Sequence, residues 1–266
     1  MTDRKLIVTP YDTEWPEQFR EESDKINQAL GGACVALHHI GSTSVPGLHA
    51  KPVIDIVAEI EPGANIQQKL IDIGYTAKGE YNIPLRQFYS KRTPREVHLH
   101  VYDEGNPEVQ QHLMFRDHLR NNPNDRDEYA ALKRKLTEAP QMHEKTKGGL
   151  RNYTLGKDKL IVSLIKKSGS KGLCVRFCLH QREWDAYNAL SPDSHVSPQA
   201  VGENDDYHFV LYQGPEIIGI ACLEFKSKGT SELKSILSLD PKAEGHFRDF
   251  LNRWTDTQNI PSPSHL

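Results

Sequence analysis

The residues best suited to chemistry lie in one stretch, His39-Ile40-Gly41-Ser42-Thr43-Ser44-Val45-Pro46-Gly47-Leu48-His49-Ala50-Lys51-Pro52-Val53-Ile54-Asp55-Ile56-Val57. Gly41 and Gly47 admit tight backbone turns, and successive backbone N–H groups in such a turn form an anion-binding nest. Ser42, Thr43 and Ser44 add hydroxyl donors, and Lys51 adds a positive charge. Asp55 follows inside the apolar run Val53 to Ile60, where an unpaired carboxylate is costly. An anion cradle beside a carboxylate that could hold a cation is what a nucleotide–metal site needs. The alternative is a Pro/Gly turn between two core elements, with Asp55 satisfied by local hydrogen bonds. The spacing excludes a Walker A loop, which needs Gly, four residues, then Gly-Lys-Ser/Thr. Here five residues separate Gly41 from Gly47, and Pro52 follows Lys51.

A second candidate lies in Arg95-Glu96-Val97-His98-Leu99-His100-Val101-Tyr102. Strand alternation puts His98 and His100 on one face and Leu99 and Val101 on the other. Two histidines on a polar strand face can bind a metal or a phosphate. A solvated face explains them as well, unless Asp55 lies on a neighbouring strand. Tyr81, Phe88 and Tyr89 could stack on a base, and core packing accounts for them equally.

Several elements must position these groups. Trp15, Phe19, Ile26 and Leu30 recur at helical spacing and end at Gly31-Gly32. Ala33 to Ile40 reads as a strand entering the Gly-Ser turn, and Lys51 to Ile60 as the strand bearing Asp55. Helices are expected over Ile66–Ile73, Pro107–Arg120, Arg126–Glu138 and Asn152–Lys167. Lys133, Arg134 and Lys135 read as a mostly solvated charge cluster; Lys157 could face the site, although a plain surface lysine is the more ordinary reading.

Composition narrows the classes. The 266 residues suit two modest domains. Charged residues make up 26%, and the net charge of −3 gives no support to general nucleic-acid binding. No run of about 18 apolar residues is present, so no membrane span is expected. Met1 to Pro10 lacks the apolar core of a signal peptide. The four cysteines, Cys34, Cys174, Cys178 and Cys222, form no CxxC pair, which suits a cytoplasmic protein with free thiols.

The first half resembles the GrpB family. The resemblance is carried by Tyr11…Trp15-Pro16…Phe19, by His39 to Leu48, and by Lys51-Pro52-Val53-Ile54-Asp55-Ile56. Gly74-Tyr75, Arg86…Phe88, His98-Leu99-His100-Val101, Phe115-Arg116-Asp117…Leu119-Arg120 and Tyr129…Leu132-Lys133 extend it. It covers roughly residues 5 to 167. It implies an α+β fold with a nucleotidyltransferase-like mixed sheet and flanking helices, and a likely-placed site without a defined reaction. Asp55, His98 and His100 are then candidates for catalysis and for holding a divalent metal such as Mg or Mn. Gly41, Ser42, Thr43, Ser44 and Lys51 are candidates for phosphate or nucleotide binding, with Arg86 and Arg116 added by the resemblance. Many proteins of that superfamily carry Asp-x-Asp on this strand, but here Val57 holds the second position. The next acid on that face, Glu59, lies ~6–7 Å further along a strand. Two-metal catalysis needs both ions, and nitrogen ligands favour Mn, Fe or Zn over Mg.

Ser168 to Gly172 reads as a linker between a first domain, residues 1–167, and a second, residues 173–266. The second half reads as strand Leu173–Leu179, helix Glu183–Leu190, strands Tyr207–Tyr212, Glu216–Phe225 and Glu232–Leu239, and helix Phe247–Thr257. This order resembles the N-terminal part of a GNAT acetyltransferase. The family's pyrophosphate-binding turn matches Lys242-Ala243-Glu244-Gly245-His246-Phe247, where Lys242 and Gly245 are the candidate acetyl-CoA contacts. Phe247 is expected to crowd that site and Glu244 to repel phosphate. The sequence ends at Leu266, so the expectation is a partial GNAT-like α/β domain. Three functions fit these readings: nucleotidyl transfer at Asp55, nucleotide or CoA-like ligand binding without turnover, and acetyl transfer in the second half.

Overall fold

A computed structural model of the protein describes residues 7–144, 151–191, 196–198, 201–226 and 230–258. The chain divides into two compact units. The first comprises Met1–Tyr81, Arg86–Lys145 and Leu150–Ser170; the second comprises Asn82–Leu85, Thr146–Gly149 and Lys171–Leu266.

The first unit opens with α1, Trp15–Leu30, whose start carries Pro16 and whose end is released by Gly31 at φ 59°. Trp15, Ile26 and Leu30 are buried, as their spacing requires. Strand β1, Cys34–Ile40, then runs into the Gly-Ser loop, which contains a single 3-10 turn at Ser42–Ser44. Strand β2, Val53–Ile60, carries Asp55. After α2, Gln67–Asp72, come the short β3, Thr76–Ala77, then β4, Gln87–Lys91, and β5, Glu96–Asp103. The last two helices before the site's closing segment are α3, Pro107–Asn121, and α4, Pro123–Glu138.

The five strands form one sheet in the order β1-β2-β5-β4-β3. Only β2 and β5 pair in parallel. Period-two alternation divides both central strands. Ile54, Ile56, Ala58 and Ile60 of β2 and Val97, Leu99 and Val101 of β5 turn into one core with α1 and α2. The opposite face is left with Asp55, His98 and His100. No strand is expected from the residues between 75 and 89; β3 and β4 form there because Tyr89 joins the core while β4 pairs with β5.

The helix expected over 152–167 is broken into α5, Asn152–Leu155, and α6, Asp158–Ser168. Gly156 packs closely against α4, where an added Cβ would lie 2.8 Å from Leu136 Cδ2 and 3.2 Å from the Asn152 carbonyl. Gly169, in the left-handed region, ends α6.

The second unit contains β6, Leu173–Phe177, α7, Gln181–Leu190, β7, Asp206–Gln213, β8, Glu216–Lys226, β9, Thr230–Ser238, and α8, Pro241–Gln258. Its antiparallel sheet has the order β6-β7-β8-β9. Val175, Phe177, Phe209 and Leu211 pack there with Phe247, Leu251 and Trp254 of α8. Cys174, Cys178 and Cys222 are buried free thiols. Among the described residues no helix is long and apolar enough to cross a membrane.

Candidate functional site

The parallel register of β2 and β5 places Asp55 directly opposite His98, with His100 two residues further along. His98 Nδ1 lies 3.2 Å from Asp55 Oδ1, and His100 Nε2 lies 3.9 Å from the same oxygen. Burial opposes the Asp55 charge, yet the nearby His100 and His98 imidazoles hold its carboxyl well below the usual carboxylate range. Burial also opposes charge on His98, but the hydrogen bond to Asp55 carries the imidazole upward; His98 keeps 34% of its side chain exposed. His100 moves the other way, through burial and the nearby Arg86 guanidinium.

Arg86 adds to the effect of burial. It is buried, and its Nε donates to the Glu80 carbonyl at 3.1 Å while a terminal nitrogen donates to the Tyr81 carbonyl. Its other terminal nitrogen lies 3.1 Å from His100 Nδ1. A guanidinium only donates, so Nδ1 of His100 must accept, and a neutral His100 carries its proton on Nε2. Arg86, expected at a phosphate, therefore acts on His100 instead.

The Gly-Ser loop is shaped by its approach to Asp55. Gly41 has φ 69°, and a Cβ there would lie 2.9 Å from Asp55 Cβ and overlap its Oδ2. Thr43 and Ser44 are not the free donors their types suggested. Thr43 Oγ1 donates to the Val53 carbonyl at 3.0 Å and Ser44 Oγ to the Gly41 carbonyl at 2.6 Å. His39 Nε2 lies 3.1 Å from Thr43 Oγ1, and burial pushes the His39 pKa down to about 4. The Ser44 and Val45 N–H groups turn back to the Gly41 and Ser42 carbonyls, which removes them from an anion nest.

Cations from α3 and α4 hold the loop by its carbonyls. Arg120 forks onto the Ser44 carbonyl at 2.9 and 2.7 Å, and Arg126 reaches that of Pro46 at 3.4 Å. Arg116 donates to the His39 carbonyl at 3.1 Å, while its Nε and second terminal nitrogen grip Asp117 at 2.7 and 3.1 Å. Arg116 thus fastens α3 to β1 and is already paired, contrary to its expected place on a phosphate.

Three lysines gather where sequence analysis had placed one. Lys133 is buried, not solvated; its Nζ donates to Ser42 Oγ at 2.9 Å and to the His49 carbonyl. Lys51 and Lys157 both lie over the Tyr153 ring, at 4.3 and 4.6 Å from its centroid. Burial, then the charges of Lys157 and Lys51, pushes the Lys133 pKa down to about 7. Burial, Lys157 and Arg151 bring Lys51 down to about 8, and burial brings Lys157 to about 8. Among the described residues none of the three is ion-paired with a carboxylate. The signal for Lys133 was its spacing: it lies four residues after the buried Tyr129 and three after Ala130, on the buried stripe of α4. Lys157 likewise follows Tyr153 by four residues.

The aromatic candidates separate. Tyr89 is core and Phe88 is buried, whereas Tyr81 is exposed and stacks on Phe88 with 5.1 Å between centroids. In the second unit Lys242 and Gly245 fall within the first turns of α8. Phe247 does not crowd that end, because it points into the core. The helix start is occupied differently: Asp240 Oδ1 accepts the Lys242 N–H at 2.9 Å, so an anion there would meet a carboxylate.

The mixed sheet, with an acid on a central strand that follows a Gly-Ser loop and with helices packed on it, defines an α+β domain. The family model described as GrpB protein matches residues 5–167, and the chain belongs to the GrpB family. It is 40% identical over 162 residues to UPF0157 protein YqkA of Bacillus subtilis, covering 59% of this chain and 46% of that protein. The chain therefore spans about half the length of that relative. A crystal structure of conserved protein GrpB from Enterococcus faecalis is 35% identical, covers 61% of this chain and 96% of its own, and superposes with a TM-score of 0.53. The Cid1 poly(U) polymerase shares 12% identity over 57% of this chain and 50% of its own, with a TM-score of 0.41, a likeness too distant to bear on function. The family match ends at residue 167, before the long segment of the second unit, Lys171–Leu266.

Proposed function

We propose that the first unit binds a phosphate-bearing small molecule of the nucleotide kind, beside Asp55 and His98. One observation carries this reading: Lys51, Lys133 and Lys157 converge around Ser42 and Tyr153 with no carboxylate partner among the described residues. Burial lowers the pKa of all three ammonium groups, and the charge of Lys157 lowers those of Lys51 and Lys133 further. Such a cluster is unfavourable by itself and becomes favourable once an anion sits between its members. Ser42 accepts from Lys133, leaving its own proton to donate to the ligand. His98, hydrogen-bonded through Nδ1 and partly exposed, could exchange a proton with a bound group.

Thermal denaturation with nucleoside triphosphates and inorganic triphosphate tests the reading. A ligand at about 100 times its dissociation constant stabilises by about 2.7 kcal/mol, a readable shift. The expected outcome is a shift in wild type that disappears in Lys133→Met. No shift with any phosphate compound refutes the reading.

A further inference from the structure

We propose that this site holds its phosphate ligand without a divalent metal, the three lysine ammonium groups supplying the charge that metal ions supply in two-metal enzymes. The inference rests on the phosphate-binding reading above and specifies the ligand as a metal-free phosphate or short oligophosphate anion.

The donor set does not fit a metal centre. His100 would have to offer a lone pair at Nε2, but Arg86 fixes the proton there by taking Nδ1. His98 directs Nδ1 at Asp55 Oδ1, the oxygen that His100 also approaches. The other Asp55 oxygen, Oδ2, faces Gly41, where a Cβ would overlap it. The second acid that would complete a two-metal site is Val57, and Glu59 is already engaged, lying 2.8 Å from His38 Nε2 and accepting from the Gly105 N–H at 3.4 Å. Among the described residues no group of three or more His, Cys, Asp and Glu is placed to hold a metal ion. Mg demands several oxygen ligands in near-octahedral array, and one carboxylate hydrogen-bonded to His98 and flanked by His100 does not provide it. Asp55 is then a hydrogen-bond acceptor that orients His98 and His100, and the positive pole of the site is made by Lys51, Lys133 and Lys157.

The test is calorimetric titration of the full chain with inorganic triphosphate, once in excess EDTA and once in Mg or Mn. The affinity in EDTA is expected to equal or exceed that with metal, because a metal-complexed triphosphate presents less charge to the lysines. Lys133→Met and Lys157→Gln should each weaken binding in EDTA by about ten- to a hundred-fold, the size of a charge-assisted contact. Nitrogen-15 NMR of His100 should show a proton on Nε2 in wild type and a mixture of tautomers in Arg86→Met. Binding that requires metal, or that tightens tenfold or more on adding it, overturns the inference while leaving phosphate binding intact. No binding under either condition removes both.

Discussion

The two units treat buried charge in opposite ways. In the second unit Glu183 is buried, and its carboxylate accepts from the Leu179 and His180 N–H groups at 2.7 and 2.8 Å and from the Tyr212 hydroxyl at 2.5 Å. The exposed Lys234 there also sits 3.3 Å from Asp206 and 3.0 Å from Glu224. Every one of these charges is answered nearby, which is how stability is built. In the first unit some charge is answered in the same way: Glu22 accepts from Tyr75 at 3.0 Å and Lys91 at 2.8 Å. The lysine trio is the exception. Among the described residues its members make no ion pair with a carboxylate, and Asp55 and Glu96 only partly offset the burial that lowers Lys51, so the trio is left with charge for a ligand to meet.

Substitutions can break this contrast. The largest effect belongs to a satisfied charge: Glu22→Ala leaves Lys91 uncompensated and should cost about 3–5 kcal/mol in denaturant unfolding. Gly41→Ala should come next, at about 1–3 kcal/mol, because it combines a positive φ with overlap on Asp55; ligand affinity should fall with it. Lys133→Met should be the mildest of the three, changing ligand-free stability by no more than about 1 kcal/mol, because the lost hydrogen bonds are offset by removal of an unpaired charge. A Lys133→Met cost as large as that of Glu22→Ala would show that the lysine is structural.

The lysines also leave a pH signature. Their folded pKa values lie below the ordinary value, so the unfolded chain binds more protons between about pH 7 and the ordinary lysine pKa of about 10.4. Their contribution to stability therefore rises with pH across that window, and the rise should flatten in Lys133→Met. Asp55, also lowered, gives a slope of the same sign in a more acidic window: its contribution is present above about pH 3.9 and is lost as pH falls below that value.

Much of the first unit was legible from its residues. The spacing of Trp15, Ile26 and Leu30 specified α1, and alternation in β5 placed His98 and His100 on one face, where the register with β2 set them beside Asp55. What could not be read was which donors are already spent. Thr43, Ser44 and Arg116 have the right types for a phosphate, but their hydrogen bonds go to Val53, Gly41, His39 and Asp117, partners fixed by tertiary packing. Lys133 was hidden for a related reason. In a Lys-Arg-Lys run, solvation is the ordinary expectation, and only the buried stripe shared with Tyr129 singles out one member. Val57 in place of a second acid was the clearest sequence sign that the site departs from a two-metal design.

The most direct measurement is the affinity for a nucleoside triphosphate between pH 7.5 and 9.5. A phosphate monoester, whose second pKa is about 6, is fully ionised throughout that range. If Lys51, Lys133 and Lys157 grip the ligand, affinity falls as pH rises through their pKa values near 7 to 8, and binding takes up protons. An affinity that stays constant over the range, with no proton uptake, would contradict the account.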